Sequence, residues 1–466
     1  MRSGRSLAVG AAVGLAAVVV VALVARDEGR AAPSFSRDVA PILQDKCADC
    51  HQLGGIAPFS LVTAAAARTH SAAIAAAVES RRMPPWPPGS ESPQFVGEDE
   101  RRLPDEELET VVEWARSGAP VDGAALQAPP PETLSTKRGE WAYSLSPERG
   151  YRPQREGDDY RCFLLDMSLD GWAFATSATI RPGVPSMVHH VILFRAKPDE
   201  VEEAERLDAR SSVAGWPCFG GTGLGAGVEA LDDAGWIAAW APGGGTVRYP
   251  SGTGAELEAG GGIVMQVHYH RRNETRLDRT GVHLTLVSGS ADLEPATTML
   301  LPAPIELPCA DGEQGPLCDR DAAIADLTRE RGASAALLPA GLQVLCRGSP
   351  FGTPSAGQGS SCDRGFDART TIHGVAGHMH LLGRSIRVEL NPGTDRSRVL
   401  LDIPRWDFHW QNAYTFAEPV VAEPGDRVRV TCRHDAALRE GPPRYVVWGE
   451  GTMDEMCLGV LQVTRG

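Results

Sequence analysis

Several histidines and one methionine of this chain stand in short groups, and both residue types bind metal ions. Imidazole nitrogens suit several first-row metals, whereas a thioether is a weak, soft ligand that favours Cu(I). Together they can supply two sites, one of imidazole alone and one of imidazole with thioether. This combination indicates copper that changes oxidation state. The candidate ligands are His189, His190, His268, His378, His380 and Met456.

The spacing of these histidines constrains how they share an ion. His378 and His380 are two residues apart on a predicted strand, so their side chains leave the same face. His189 and His190 are adjacent and would point to opposite faces of a regular strand. Binding one ion therefore requires a bend, a bulge or the use of different ring nitrogens. The strand with His268 carries another histidine two positions later, and spacing alone does not choose between the two.

A different metal centre is indicated near the N-terminus. Cys47, Cys50 and His51 fit the C-x-x-C-H pattern of covalent c-type haem attachment, in which the histidine becomes an axial iron ligand. Met83 lies in a proline-rich loop suited to holding a thioether rigidly, and it is the expected second axial ligand. His70 is its competitor, although a lone histidine in an alanine-rich helix is usually a surface residue. An open second axial position is the remaining alternative.

The N-terminus and the net charge bound the class of protein. Basic residues precede an apolar run at 7–25, which is the pattern of an export signal and is also long enough to span a bilayer. We expect residues 1–32 to be a signal peptide or a membrane anchor, and the remainder to be periplasmic or otherwise extracytoplasmic. The net charge of −15, without basic clusters, argues against nucleic acid as a partner.

Cysteine usage agrees with export. Eight of the ten cysteines lie outside the C-x-x-C-H motif, and an even set in an oxidising compartment is typical of disulfides. Proximity in sequence suggests the first two of the following pairs, and the other two are a guess at this point: Cys309–Cys318, Cys346–Cys362, Cys162–Cys218 and Cys432–Cys457.

The elements that must position these residues fall into two patterns. Residues 33–125 contain alanine-rich and acidic-start segments and are expected to form a small all-α domain. A proline-rich linker follows at 126–150. Beyond it, short apolar runs are separated by Gly, Pro, Asp and Ser, as in antiparallel sandwiches. We therefore predict a mainly β fold with two sandwich domains, at 151–295 and 296–466.

Four short motifs, in order and at suitable spacings, make residues 150–466 resemble a known family. They are Met187-Val188-His189-His190, Gln266-Val267-His268-Tyr269, His378-Met379-His380-Leu381-Leu382-Gly383 and Asp454-Glu455-Met456-Cys457. The family is that of the copper type II, ascorbate-dependent monooxygenases, which include the peptidylglycine α-hydroxylating and dopamine β-monooxygenases. Residues 33–122 resemble a class I-like cytochrome c.

The resemblance implies a division of labour between two copper ions. In the family, two jelly-roll-like sandwiches carry one copper each and face each other across a solvent cleft. One site stores electrons, and the other binds O2 and attacks a substrate C–H bond. Carried over by position, the storage ligands are His189, His190 and His268, and the O2-site ligands are His378, His380 and Met456. A family disulfide from the cysteine after the ligand methionine also supports the pair Cys432–Cys457.

The chain departs from the family where the substrate binds. The peptide-hydroxylating enzyme holds its substrate carboxylate with an arginine two residues before the H-x-H pair, where this chain has Ala376. It also uses an asparagine and a tyrosine at the positions of Leu458 and Val460. Because the cation suited to carboxylate recognition is missing, we expect a small apolar or aromatic substrate rather than a glycine-extended peptide.

The haem motif suggests the source of electrons. The family takes electrons one at a time from ascorbate, whereas a covalent haem in the same chain is a ready one-electron donor. The expected partners are a small substrate, O2 and a periplasmic redox protein or ascorbate-like reductant. Two other interpretations are open at this point. One is a non-catalytic copper and haem protein that transfers electrons or handles copper; the other is an enzyme that oxidises a substrate and passes electrons to the haem.

Overall fold

The computed structural model describes residues 32–466, apart from 49, 53–56, 123–135, 168, 219–220, 225–230, 243, 272–274 and 348–356. The apolar run at 7–25 and the first part of the predicted linker therefore lie outside the described residues. Among the helices of the described part, none is both long and apolar enough to cross a membrane.

The N-terminal part of the described chain is helical, as the sequence predicts. A π-helical turn, Phe35–Val39, precedes α1 (Ala40–Lys46), α2 (Ala64–Thr69), α3 (Ser71–Glu79), α4 (Glu98–Arg101) and α5 (Asp105–Arg116). The acidic first turn of α5 complements the positive end of the helix dipole. Its Trp114 is fully buried against Phe35, with ring centroids 5.5 Å apart. This contact closes the core of the helical domain.

Residues 140–295 form the first β-sandwich. Its strands are β1 (Glu140–Leu145), β2 (Gly157–Leu165), β3 (Ala173–Arg181), β4 (Val188–Ala196), β5 (Trp216–Pro217), β6 (Trp236–Trp240), β7 (Val247–Arg248), β8 (Thr253–Leu257), β9 (Gly262–Arg271), β10 (Gly281–Ser288) and β11 (Glu294–Pro295). One sheet has the order β1-β10-β3-β8-β11, with β7 beside β3, and the other has the order β5-β2-β9-β4-β6. Helix α6 (Pro198–Ala209) follows β4. Phe163, Leu193 and Leu284 join the two sheets in one buried apolar core.

Residues 297–465 form the second β-sandwich. Its strands are β12 (Thr297–Pro302), β13 (Glu306–Leu307), β14 (Gly359–Gly365), β15 (Thr370–His378), β16 (Gly383–Leu390), β17 (Arg398–Ile403), β18 (Ala413–Ala422), β19 (Arg427–His434), β20 (Val446–Val447) and β21 (Leu458–Arg465). The facing sheets have the orders β12-β21-β15-β18 and β14-β19-β16-β17, and β13 pairs with β20. The prediction of a mainly β fold with two sandwiches is thus confirmed.

The second sandwich contains an inserted pair of helices that was not predicted. Helices α7 (Arg320–Arg331) and α8 (Ala333–Arg347) lie between β13 and β14. The side chain of Asp319 caps α7 by accepting a hydrogen bond from the N–H of Ala322. An aspartate before an alanine-rich stretch is a helix-start signal, so this part of the sequence contained the information.

The segment of residues 84–97, which follows Met83, packs against the second sandwich and is called the docking segment below. Its Val96 N–H donates to the carbonyl of Thr415 (2.8 Å), and Gly89 N–H donates to the carbonyl of Asp402 (2.7 Å). Phe95 is buried in the core of the second sandwich against Phe416, with ring centroids 5.6 Å apart. Backbone hydrogen bonds and a shared apolar core therefore fix the helical domain to this sandwich.

Candidate metal centres

The first histidine cluster lies on two neighbouring strands of the first sandwich. His189 and His190 belong to β4, and His268 belongs to β9 directly opposite His190. A register shift between Val188 and His190 provides the irregularity that adjacent histidines require. His190 Nδ1 lies 3.4 Å from His189 Nδ1 and 3.3 Å from His268 Nδ1. The structure thus brings the three predicted imidazoles together.

These nitrogen positions fit a metal ion. Imidazole nitrogens lie about 2.0–2.1 Å from an ion such as Zn²⁺, so two of them at a tetrahedral angle are about 3.3–3.4 Å apart. The three ligand atoms lie within 4.8 Å of one another. His268 donates through Nε2 to the carboxylate of Asp158 (3.0 Å), so its Nδ1 presents a lone pair to the cluster. Nitrogen lone pairs that point toward one another need a cation between them, and copper is one that imidazole binds well.

Asp158 also explains the role of His270, the competitor of His268. His270 Nδ1 lies 2.9 Å from the same carboxylate oxygen of Asp158 that His268 contacts. The ring of Tyr160 stacks on His268 at 4.1 Å and an interplanar angle of 8°. His268 is therefore held on one face by an aromatic ring and at Nε2 by a carboxylate, whereas His270 contacts that carboxylate with its Nδ1.

The second histidine cluster lies at the end of β15. His378 is the last residue of this strand and His380 lies beyond it, so the expectation that one strand carries both histidines is wrong. Their ring centroids are nevertheless 5.1 Å apart. His378 Nδ1 lies 2.5 Å from Oε1 of Gln411, and His380 Nδ1 lies 3.2 Å from the carbonyl oxygen of Asp454. Because these oxygens only accept hydrogen bonds, each Nδ1 carries the proton and each Nε2 is left for a metal ion.

Met456 lines the same cavity as this histidine pair, and Glu455 anchors it there. The carboxylate of Glu455, which is fully buried, accepts hydrogen bonds from the backbone N–H groups of His380 (2.5 Å), Met456 (2.8 Å) and Leu382 (2.9 Å). One side chain therefore ties the loop of His380 to the loop of Met456. Glu455 belongs to the motif Asp454-Glu455-Met456-Cys457, but nothing in the sequence indicates this role.

The cysteine pairing supports the position of Met456. The structure contains four disulfides, and one of them joins the residue after Met456 to β19. All four predicted pairs are confirmed: Cys162–Cys218, Cys309–Cys318, Cys346–Cys362 and Cys432–Cys457. Cys47 and Cys50 take part in none of them.

The loop between β17 and β18, residues 404–412, contacts both histidine clusters and was missed in the sequence. Trp406 donates through Nε1 to the carbonyl of His380 (3.1 Å). It approaches Gly383 so closely that a Cβ there would lie 2.6 Å from the Trp406 ring, so only glycine fits. Phe408 stacks on His189 of the first sandwich with centroids 4.7 Å apart. Aromatic residues in a loop follow no helix or strand periodicity, so the sequence pattern did not indicate their role.

The two clusters lie close to each other. The ring centroids of His190 and His378 are 6.4 Å apart, and Phe408 lies 6.0 Å from His380 as well as against His189. In this structure the two clusters therefore approach each other almost ring to ring.

Burial keeps these histidines neutral, which is the form that binds metal. Removal from water, reinforced by neighbouring histidines, lowers the pKa of His189 to about 3. Burial likewise lowers the pKa of His378 to about 4, although the hydrogen bond that His378 donates to Gln411 opposes this. The pKa values of His190 and His380 are well below the ordinary value for the same reason. Protons therefore compete weakly with a metal ion at neutral pH.

The predicted haem residues all belong to the helical domain. His51 Nδ1 lies 3.0 Å from the carbonyl oxygen of Phe59, which leaves its Nε2 for a metal. His51 and Met83 line one cavity, whereas the ring of His70 stacks on Phe59 at 3.9 Å. Burial raises the pKa of the Cys47 thiol to about 12, which is opposite to the lowered pKa of a redox-active thiol.

A cavity of about 2530 Å³ connects the helical domain with both histidine clusters. His51 and Met83 line it together with histidines of both clusters and Met456. Ala376, Leu458 and Val460 also line it. Ala376 lies opposite Val460, and His378 lies opposite Leu458, in the pairing of β15 with β21. The positions that depart from the family are therefore apolar parts of the cavity wall.

Comparisons with known proteins identify both sandwiches. A family model described as copper type II ascorbate-dependent monooxygenase, N-terminal domain, matches residues 151–276, and the corresponding C-terminal domain model matches residues 360–462. No curated protein matches the chain significantly.

Solved structures add no argument about this chain. The major capsid protein P2 from bacteriophage PM2 is 8% identical with a TM-score of 0.25, covering 70% of this chain and 97% of that chain. Broad Bean Stain Virus is 8% identical with a TM-score of 0.23, covering 70% of this chain and 88% of that chain. Such low TM-scores say nothing about its function.

The two domain matches, on the sandwiches that bear the histidine clusters, identify the chain as a copper type II monooxygenase, an oxidoreductase that uses O2.

Proposed function

We propose that the enzyme hydroxylates a C–H bond of a small apolar or aromatic substrate, with electrons supplied through a c-type haem attached at Cys47 and Cys50. The observation that carries the proposal is the one cavity that His51 and Met83 share with the histidines of both clusters. Substrate, O2, two electrons and two protons are consumed, and an alcohol and water are formed. The family uses two copper ions, whose ligands we assign as His189, His190 and His268, and as His378, His380 and Met456.

Copper, when bound, supplies one-electron redox chemistry and O2 activation, and the chain supplies position and exclusion of water. Gln411 and the Asp454 carbonyl hold the protons on Nδ1 of His378 and His380, so that both Nε2 atoms would be available to hold copper. Phe408 fills the space between His189 and His380, which limits water between the two sites.

The residues of the helical domain suit a covalent haem. Two thiols outside the disulfides stand beside a histidine whose Nε2 is available, and the raised pKa of Cys47 argues against a redox disulfide. Met83 shares the cavity with His51, which favours it over His70 as the second axial ligand. The four disulfides of the described residues agree with an exported, oxidising location.

The docking segment supports electron supply from this haem to the copper sites. Trp86 lies three residues after Met83, and its ring lies 5.5 Å from that of Tyr414 on β18. Tyr414 in turn follows Gln411, which accepts the hydrogen bond of His378, by three residues. The contact between the rings of Trp86 and Tyr414, with three residues of chain on each side, therefore connects Met83 of the haem site with Gln411 at the copper site.

The test of electron supply is a His51→Ala variant. We expect it to lose turnover driven by a donor that reduces the haem, to keep two copper ions, and to keep turnover driven by ascorbate, because its copper ligands are untouched. His70→Ala is the matched control and should retain haem-driven turnover. Haem-driven turnover that persists in His51→Ala would show that the haem is not on the pathway.

The substrate class is tested separately by O2 uptake with a panel of small apolar, aromatic and glycine-extended peptide compounds. Apolar compounds should be turned over because Ala376, Leu458 and Val460 offer no partner for a carboxylate. Turnover of the peptide at a comparable rate would overturn this part of the proposal.

A further inference from the structure

Asp158 receives hydrogen bonds from both sandwiches. From the first sandwich, His268 Nε2 and His270 Nδ1 lie 3.0 and 2.9 Å from its Oδ1. From the second, Thr452 donates its hydroxyl to Oδ1 and its backbone N–H to Oδ2, both at 2.8 Å. Asp158 is thus a carboxylate that joins two domains.

On the side of the first cluster, Asp158 determines which nitrogen of His268 faces the metal. Because both oxygens of Asp158 already accept hydrogen bonds from Thr452, Nε2 of His268 is the donor to Asp158 and Nδ1 carries the lone pair. A carboxylate in this position also makes the imidazole a stronger ligand. In return, a cation on Nδ1 makes the Nε2–H a better donor, which strengthens the hold on Asp158.

On the side of the second cluster, Asp158 holds the loop that leads to Met456. Thr452 is only 6% exposed and lies four residues before Met456. The intervening turn is closed by Asp454 N–H donating to the Gly451 carbonyl (2.8 Å) and by Gly451 N–H donating to the Asp454 carboxylate (3.0 Å). Because the Asp454 carbonyl also accepts from His380, a shift of Thr452 moves groups that position two ligands.

A neighbouring contact reinforces the same connection. Tyr160, whose ring stacks on His268, donates its hydroxyl to the carbonyl of Glu450 (2.6 Å), two residues before Thr452. The aromatic ring and the carboxylate that hold His268 are therefore both attached to the loop of Met456.

We propose that Asp158 is a positioning residue for both copper sites, so that copper at either site strengthens binding at the other. The proposal rests on the ligand assignment made under Proposed function. Such coupling is necessarily reciprocal. It gives Thr452, which is not itself a metal ligand in the assignment, an effect on both sites.

The experiment measures Cu(I) affinity by competition with a chromophoric chelator, in the full chain and in two chains that each keep one site. His378→Ala/His380→Ala keeps the first site, and His189→Ala/His190→Ala keeps the second. Asp158→Asn, Thr452→Val and Thr452→Ser are introduced into each. X-ray absorption reports the sulfur ligand of the second site independently of activity.

Asp158→Asn should weaken copper at the first site about 10–100-fold, as loss of an outer hydrogen-bond partner usually does, and should also weaken the second site. Thr452→Val, nearly equal in size, should weaken the second site and reduce its sulfur signal. It should also abolish the excess affinity of the two-site chain over the one-site chains. Thr452→Ser should retain the affinity and sulfur signal of the second site and the excess affinity of the two-site chain, because it keeps the hydroxyl and the N–H.

Two outcomes overturn the coupling. One is that Thr452→Val and Thr452→Ser have the same Cu(I) affinity at both sites. The other is that Asp158→Asn lowers the Cu(I) affinity of the first site alone. Failure of the ligand assignment looks different, because the unsubstituted chain would then bind fewer than two copper ions.

Discussion

Removal of the Glu455 carboxylate is the sharpest test of how the second copper site is built. In Glu455→Ala, the backbone N–H groups of His380, Leu382 and Met456 lose their common acceptor. In Glu455→Gln, the amide oxygen can still accept, but its NH₂ group faces one N–H donor. The two variants therefore differ in the number of buried donors that they leave unsatisfied.

The magnitude follows from these three hydrogen bonds. An unsatisfied buried donor costs about 1–3 kcal/mol, so Glu455→Gln should destabilise the second sandwich by about 1–3 kcal/mol. Glu455→Ala leaves three donors unsatisfied and should cost about 3 kcal/mol in total, or about 1 kcal/mol per donor. The low end of the range applies because water from the adjoining cavity can reach some of these donors. A total stability of about 5–15 kcal/mol is usual for a domain, so the alanine variant should be marginal.

The assay is denaturant unfolding of the copper-free protein together with Cu(I) affinity of each site. We expect Glu455→Gln to bind copper normally at the site of His189 and more weakly at the site of Met456. Glu450→Gln is the matched control, since this glutamate of the same loop accepts none of the three N–H groups. Equal destabilisation by Glu455→Gln and Glu455→Ala, or unchanged copper affinity at the Met456 site in both, would refute the reasoning.

Three further predictions concern the same region. Met456→Ala should abolish substrate-dependent O2 uptake while the three-histidine site keeps its copper; uptake that survives contradicts the assignment. In chelator-treated protein, His189 and His378 stay neutral far below the ordinary histidine pKa of about 6.5, so the unfolded chain binds more protons as pH falls. Stability should drop by about 1.4 kcal/mol per pH unit for each histidine between about pH 6 and 4, and a flat unfolding midpoint over that range speaks against burial. Cys432→Ser/Cys457→Ser opens a loop of sequence separation 25 and should cost about 3.5 kcal/mol in the chain-entropy estimate, measured by unfolding against the unsubstituted chain under non-reducing conditions.

Local sequence patterns determined the chemistry of this protein. Histidines two apart, an adjacent pair and a methionine within short motifs indicated copper, and an even set of eight cysteines outside the C-x-x-C-H motif indicated disulfides, of which the described residues form four. Alternating apolar runs indicated the sandwiches. Each of these signals is carried by residue type and by spacing within a few positions, so it is readable without knowing which distant segments meet.

Tertiary structure decided how the ligands are held and how close the two sites lie. Asp158 and Thr452 meet across 294 residues, Glu455 reaches the backbone of His380 across 75, and Phe408 stacks on a histidine of the other sandwich. A lone aspartate, glutamate or phenylalanine has no periodicity to mark it, and its partner is chosen by the packing of whole sheets. The sequence indicated the six candidate ligands, and only the folded chain showed that one carboxylate connects the two sets.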